Sequence, residues 1–125
     1  MDKHPPLTTG AQAVEYIHSF SWLGSRPGLS RTRQLLAAMG NPEQKLQFIH
    51  IVGTNGKGST AAMLASVLTA AGYTTGLYTS PYIHHFEERM TVNGEEITGD
   101  ELAAITSWVG ELADQMEEHP TEFEL

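Results

Sequence analysis

Seven residues, Gly53-Thr54-Asn55-Gly56-Lys57-Gly58-Ser59, constrain this chain more than any others. They stand between two runs of different character. Phe48-Ile49-His50-Ile51-Val52 reads as a short buried strand, and Gly58 to Ala71 as an alanine-rich helix that stops at Gly72. Glycines let backbone N–H groups approach an anion, a helix N-terminus adds a favourable field, and one lysine adds a full positive charge. Such a turn at a strand-to-helix junction is what phosphate binding requires, so the run points to a nucleoside triphosphate. The strict phosphate-loop pattern G-x-x-x-x-G-K-[ST] is not met. Lys57 follows Gly53 by four residues rather than six, and Gly58 separates it from Ser59.

The 125 residues leave room for one small domain or part of a larger one. Seven basic against fifteen acidic residues give a net charge of -8. That balance argues against duplex nucleic acid or an anionic membrane as a partner. A local lysine with Mg²⁺ can still hold ATP against that field. Without cysteine the chain has no disulfide, no thiol nucleophile and no Cys-ligated metal. The start, Met1-Asp2-Lys3-His4-Pro5-Pro6, lacks the apolar core of a signal peptide, and no apolar run is long enough to span a bilayer. The expected location is the cytoplasm.

A first helix is predicted over Thr9 to Leu23, with Thr9 and Gln12 as a capping box and Ala13, Tyr16, Ile17 and Phe20 on one face. Ser30 is placed to cap a second helix carrying Leu35, Leu36 and Met39, ending at Gly40 with Pro42 beyond. The third helix, with Leu64, Val67, Leu68 and Ala71, has small residues on its other faces and is expected to be buried on more than one side. Thr74 to Thr79 reads as a second strand, giving Phe48 to Thr79 the length of one parallel βαβ unit. Arg89 to Ile97 reads as a hairpin around Asn93-Gly94. Thr98 and Glu101 form a capping box for a helix with Leu102, Ile105, Val109, Leu112 and Met116 on one face, closed by His119-Pro120. Thr121 and Glu124 form a further box within a turn of the last residue. A lone turn is not stable and a parallel sheet needs cover on both faces. The expectation is therefore the N-terminal portion of a longer α/β protein.

The word GTNGKGS after Ile49-His50-Ile51-Val52 resembles the folylpolyglutamate synthase/dihydrofolate synthase family, related to the Mur ligases. Tyr78-Thr79-Ser80-Pro81-Tyr82-Ile83, then Phe86-Glu87-Glu88-Arg89-Met90 and Asn93-Gly94, resembles that family's TSP…F.ER…NG segment. Leu29, Leu35-Leu36, Gly40-Asn41-Pro42 and Ile49-His50 match its lead-in, and Thr121-Glu122-Phe123-Glu124 its T-x-F-E element. Many members carry histidine where Tyr82 stands. The resemblance implies a phosphate-loop, Mur-ligase-type ATPase domain, cut before its end. It also implies an ATP- and Mg²⁺-dependent amide ligase that joins L-glutamate to dihydropteroate or a reduced folate through an acyl phosphate. The full-length form would be a monomer, and the metal-completing glutamate and histidine and the glutamate-binding domain would lie beyond Leu125. The chain alone is expected to be inactive. A Mur-type cell-wall precursor ligase and a truncated, non-catalytic nucleotide-binding module are the alternatives.

By the same resemblance Lys57 contacts the β- and γ-phosphates, and Gly53, Thr54, Asn55, Gly56, Gly58, Ser59 and Thr60 complete the nucleotide loop. Ser59 or Thr60 supplies the loop hydroxyl, with Ser59 and Ser80 as the metal-facing pair. Thr121 and Phe123 line a pterin pocket, or Phe123 is core. His84-His85 is not expected to bind metal, because adjacent side chains diverge. His50 reads as half-buried, Trp22 and Trp108 as packing, and Glu111, Asp114, Glu117 and Glu118 as an exposed acidic face. Glu87, Glu88 and Arg89 read as a solvated or loop-pinning ion pair, with catalytic carboxylates beside a clamp as the alternative.

Overall fold

The computed structural model describes residues 4–125. Residues 1–3, which open the segment read above as lacking a signal sequence, lie outside them. The chain divides into a helical unit, residues up to 47 with 99–125, and an α/β unit, Phe48–Thr98. Among the described residues no helix is long and apolar enough to cross a membrane.

The helical unit is built from α1 (Gly10–His18), α2 (Ser30–Ala38) and α4 (Gly99–Ala113). The capping box at α1 forms as expected: Gln12 N–H donates to Thr9 Oγ1 at 3.2 Å, and Gln12 Oε1 accepts from Thr9 N–H at 3.3 Å. The helix ends earlier than predicted. Ser19 Oγ donates to the Tyr16 carbonyl at 2.6 Å, an acceptor near the helix end, and a separate 3₁₀ turn, Ser21–Leu23, follows. In α2 Ser30 is the first helical residue rather than the cap, and no side chain caps that end. Gly40 and Asn41, both at positive φ, stop it as expected.

The buried face of α4 keeps the predicted Leu102, Val109 and Leu112, with Met116 just past its end, loses Ile105, and extends over small residues. Leu102, Ala103, Thr106, Gly110 and Ala113 are buried, whereas Ile105 is 52% exposed. The helix faces both α1 and α2, and its small residues let α1 come close. Leu35, Ala113 and Met116 form a core cluster with Met39, Val109, Leu112 and Leu125 against it. The helix stops at Ala113, ahead of the predicted His119-Pro120 boundary. Trp22 and Trp108 are exposed rather than packed.

Asp114 is not part of an exposed acidic face. Its Oδ1 accepts from Tyr16 Oη at 3.0 Å and lies 3.1 Å from His119 Nε2, while Oδ2 is 3.8 Å from His4 Nε2. His119 stacks on Phe20 with ring centroids 3.8 Å apart. Burial first, then the Asp114 charge and hydrogen bond, push the Tyr16 phenol well above its usual range. Gly110 allows this approach. A Cβ there would stand 2.7 Å from His4 Nε2 and 2.9 Å from Tyr16 Oη. Gly110→Ala is therefore expected to lower stability by about 1–3 kcal/mol through overpacking. Urea unfolding checks this, and an unchanged midpoint would contradict it.

The α/β unit contains α3 (Lys57–Ala70) and strands β1 (Gly76–Tyr78), β2 (Met90–Val92) and β3 (Glu95–Glu96) in the order β1-β2-β3. Both pairings are antiparallel: Gly76 faces Val92, Tyr78 faces Met90, and Thr91 faces Glu96. The Asn93-Gly94 hairpin forms, with φ of 51° and 82° as a type I′ turn demands. Asn93 Oδ1 also accepts Thr75 N–H at 2.9 Å and so ties the turn to β1.

The predicted parallel βαβ unit does not form. Phe48–Val52 is not a strand, and β1 pairs only with the hairpin that follows it. A strand needs a neighbour to complete its ladder, and the described residues bring none beside this segment. Phe48, Ile49 and Val52 stay open, with Val52 74% exposed, and His50 is exposed rather than half-buried. No residue of α3 is buried either, against the expectation of a helix covered on more than one side.

Candidate functional site

The glycine run turns into α3 as the sequence suggested. Gly56 is the N-cap in a left-handed conformation (φ 76°, ψ 6°), and no side chain caps the helix. The first residues, Lys57, Gly58 and Ser59, therefore present N–H groups without an intrahelical acceptor. Thr60 N–H is already used, donating to the Gly56 carbonyl at 3.0 Å. Ser59 thus keeps both its amide and its hydroxyl in the first turn, while Thr60 begins the next. Gly53, at φ 153°, also needs the freedom of glycine. At Gly58 a Cβ would meet nothing within 4 Å, so the space over the first turn is open. Thr54 and Asn55 complete the exposed turn.

Lys57 folds back over the loop and donates from Nζ to the Gly53 carbonyl at 2.6 Å. The ammonium and the uncapped amides are thus held on one turn. Positive charge with convergent N–H donors suits the oxygens of a phosphate. Ser80 lies just past the end of β1, where Thr79 N–H donates to the Arg89 carbonyl at 2.9 Å.

The donor set for a divalent cation is thin. Among the described residues no group of three or more His, Asp or Glu is arranged to hold a metal. Ser59 and Ser80 offer neutral hydroxyls, and a hard cation such as Mg²⁺ wants carboxylate oxygen. The residues present do not form a magnesium site by themselves. His84-His85 does not change this. His85 Nε2 lies 2.5 Å from Glu96 Oε2, and Nδ1 lies 3.4 Å from Glu88 Oε1.

Thr121 and Phe123 belong to the helical unit. Thr121 is 1% exposed, with its N–H donating to Glu124 Oε2 at 2.9 Å and its Oγ1 accepting Glu124 N–H at 3.3 Å. The reciprocal box predicted from Thr121 and Glu124 is present. Arg31, which sequence reasoning missed, holds Glu124 through Nε and Nη2 at 3.0–3.2 Å. Burial pushes the Glu124 carboxyl up, but the Arg31 and Thr121 bonds and the Arg31 charge outweigh it and hold the group below its usual range. Phe123 is 94% exposed, so the described residues do not pack it as core.

The other missed feature surrounds Arg89. Its guanidinium lies over the Phe86 ring at 5.0 Å and the Tyr78 ring at 5.2 Å, and Nη2 donates to Tyr78 Oη at 2.5 Å. The F.ER spacing marked this segment, but the partner Tyr78 lies on another element.

No protein-family model matches the chain. It is 46% identical over 123 residues to the dihydrofolate synthase/folylpolyglutamate synthase of Bacillus subtilis, covering 95% of this chain and 29% of that protein. The solved folylpolyglutamate synthetase from Lactobacillus casei superimposes with a TM-score of 0.85 at 40% identity, over 93% of this chain and 30% of that one. A bifunctional folylpolyglutamate synthase/dihydrofolate synthase solved with Mn, AMPPNP and L-glutamate gives a TM-score of 0.81 at 26% identity, over 98% and 29%. The chain spans less than a third of the length of the relatives it matches. Within that span, sequence and α/β Mur-ligase-type fold agree, and these 125 residues belong to the folylpolyglutamate synthase/dihydrofolate synthase family.

Proposed function

We propose that this chain is the N-terminal part of the ATP-binding domain of an ATP-dependent amide ligase, which adds L-glutamate to dihydropteroate, reduced folates or both. The remainder of that domain and a glutamate-binding domain make up the rest of a monomeric, cytoplasmic enzyme. One observation carries the reading: the uncapped, glycine-framed first turn of α3 with Lys57 held across it. The likeness to a synthase solved with AMPPNP, Mn and L-glutamate supports the same nucleotide class.

ATP supplies the phosphoryl group that activates the carboxylate as an acyl phosphate before the glutamate amine attacks. The chain's own contribution is positioning and charge neutralisation, without a protein nucleophile. Lys57 leaves the Gly53 carbonyl and neutralises phosphate oxygens. The amides of Lys57, Gly58 and Ser59 orient them, and Gly53, Thr54, Asn55 and Gly56 shape the turn. Ser80 and Ser59 would offer only neutral hydroxyls to a nucleotide-bound Mg²⁺, which would need carboxylate oxygen from elsewhere. The exposed Phe123 ring, with Thr121 locked beside it, offers a flat heterocycle a stacking face.

The test is substrate choice. A full-length protein containing this chain is expected to release ADP and form an amide with dihydropteroate plus L-glutamate, and none with a UDP-linked peptide. The 125 residues alone are expected to form no amide. Turnover of the UDP-linked peptide, or amide formation by the isolated chain, would overturn the reading.

A further inference from the structure

We propose that Glu88 is a positioning residue that fixes Ser80 at the carboxyl end of β1. The proposal rests on the reading of Ser80 as a ligand-facing residue. Three consecutive amides converge on the Glu88 carboxylate. Ile83 N–H donates to Oε2 at 2.9 Å, and His84 and His85 N–H donate to Oε1 at 2.8 and 3.0 Å. The next residue, Arg89, accepts Thr79 N–H on its carbonyl. Both flanks of Ser80-Pro81-Tyr82 are thus tied to one 3₁₀ turn, Phe86–Arg89. Three residues bridge two fixed points, and Ser80 is the first of them. The turn is itself held to the hairpin, because the His85 ring sits between Glu88 and Glu96 of β3.

The charges make this anchor sensitive to pH. The Ile83 amide bond lowers the Glu88 carboxyl below its usual range. Burial opposes this, and the His84 and His85 amides and the His85 charge reinforce it. A carboxyl lowered by folding contributes stability above its unfolded pKa and loses it as pH falls through the folded value. The groups facing His85 are Glu96 from β3 and Glu88 and Glu87 from the turn. The Glu96 hydrogen bond raises the imidazole, opposed by burial and reinforced by those charges. That contribution is complete below the ordinary imidazole range and is lost as pH rises through the raised value. The loop after Ser80 is therefore tightest between these limits.

The test is amide exchange read by NMR on the 125-residue chain, with Mg-ATP as the added probe. At neutral pH the Ile83, His84 and His85 amides are expected to be protected. In Glu88→Ala they should exchange at least about tenfold faster, as for loss of bonds to a charged acceptor. Glu88→Gln, which keeps one acceptor oxygen in place, should fall between. With Mg-ATP, the Ser80 signal should respond in the wild type and not in Glu88→Ala, while the Gly53–Thr60 signals respond in both. Unchanged protection in Glu88→Ala, or an unchanged Ser80 response, would overturn the proposal. If Glu88→Ala unfolds the chain, acidifying the wild type gives the same reading. The three amides should then lose protection together, and independent loss would overturn it. Silence at Gly53–Thr60 in the wild type would instead count against the nucleotide reading, leaving the exchange data to judge Glu88.

Discussion

Lys57→Ala is expected to weaken ATP binding by about 10–100-fold, the range for losing a charge-assisted hydrogen bond. The expectation follows from what Lys57 does in the structure. Its ammonium bonds to the exposed Gly53 carbonyl, so its removal opens no core and leaves α3 in place. The loss should therefore appear in binding and not in folding. Lys57→Arg keeps the charge but not the compact ammonium, and should recover binding only in part. Calorimetric titration with ATP at fixed salt checks both variants. Equal affinity in wild type and Lys57→Ala would remove Lys57 from the site.

Leu35→Ala is expected to destabilise the helical unit by about 2–5 kcal/mol. Leu35 is 5% exposed and packs against Ala113 and Met116, with Met39, Val109, Leu112 and Leu125 around them. Ala113 is fully buried and has no side chain to swing into the void. The methionines can follow it in part, which favours the lower half of that range. Leu29→Ala serves as the control, since Leu29 is exposed and its loss should change stability by no more than about 0.5 kcal/mol. Denaturant unfolding followed by circular dichroism separates the two. Equal midpoints would show that the Leu35 cluster is not where the unit is held.

Local signals were legible in the sequence. Thr9 with Gln12, Thr121 with Glu124, and Asn93-Gly94 each need only neighbours a few residues away, and all three formed as read. The glycine loop and the start of α3 were legible for the same reason, because glycine torsions and helix termini are local properties. Features that depend on distant partners were not. Phe48–Val52 has strand composition, yet composition does not supply the ladder that makes a strand. The stripe on α4 was legible except at Ile105, but periodicity of large residues did not show that the buried face extends over small ones, with Tyr16 of α1 seated at Gly110. Asp114 looked like one of four surface acids. Only the fold brings Tyr16 and His119 to it. In the candidate site, Lys57 and its glycines were legible as a motif. Glu88 and Arg89 read as a solvated or loop-pinning ion pair; Glu88 does pin the loop, but through backbone amides, while the Arg89 guanidinium lies over aromatic rings.

The measurement to make first is the amide proton–nitrogen NMR spectrum of this chain titrated with Mg-ATP, beside the same titration of Lys57→Ala. A nucleotide-binding segment whose loop is already formed should give dispersed peaks, with the Gly53–Thr60 signals moving in the wild type and much less in the variant. Dispersed peaks that stay still in the wild type, or move equally in both, would contradict a phosphate site built on Lys57 and the first turn of α3.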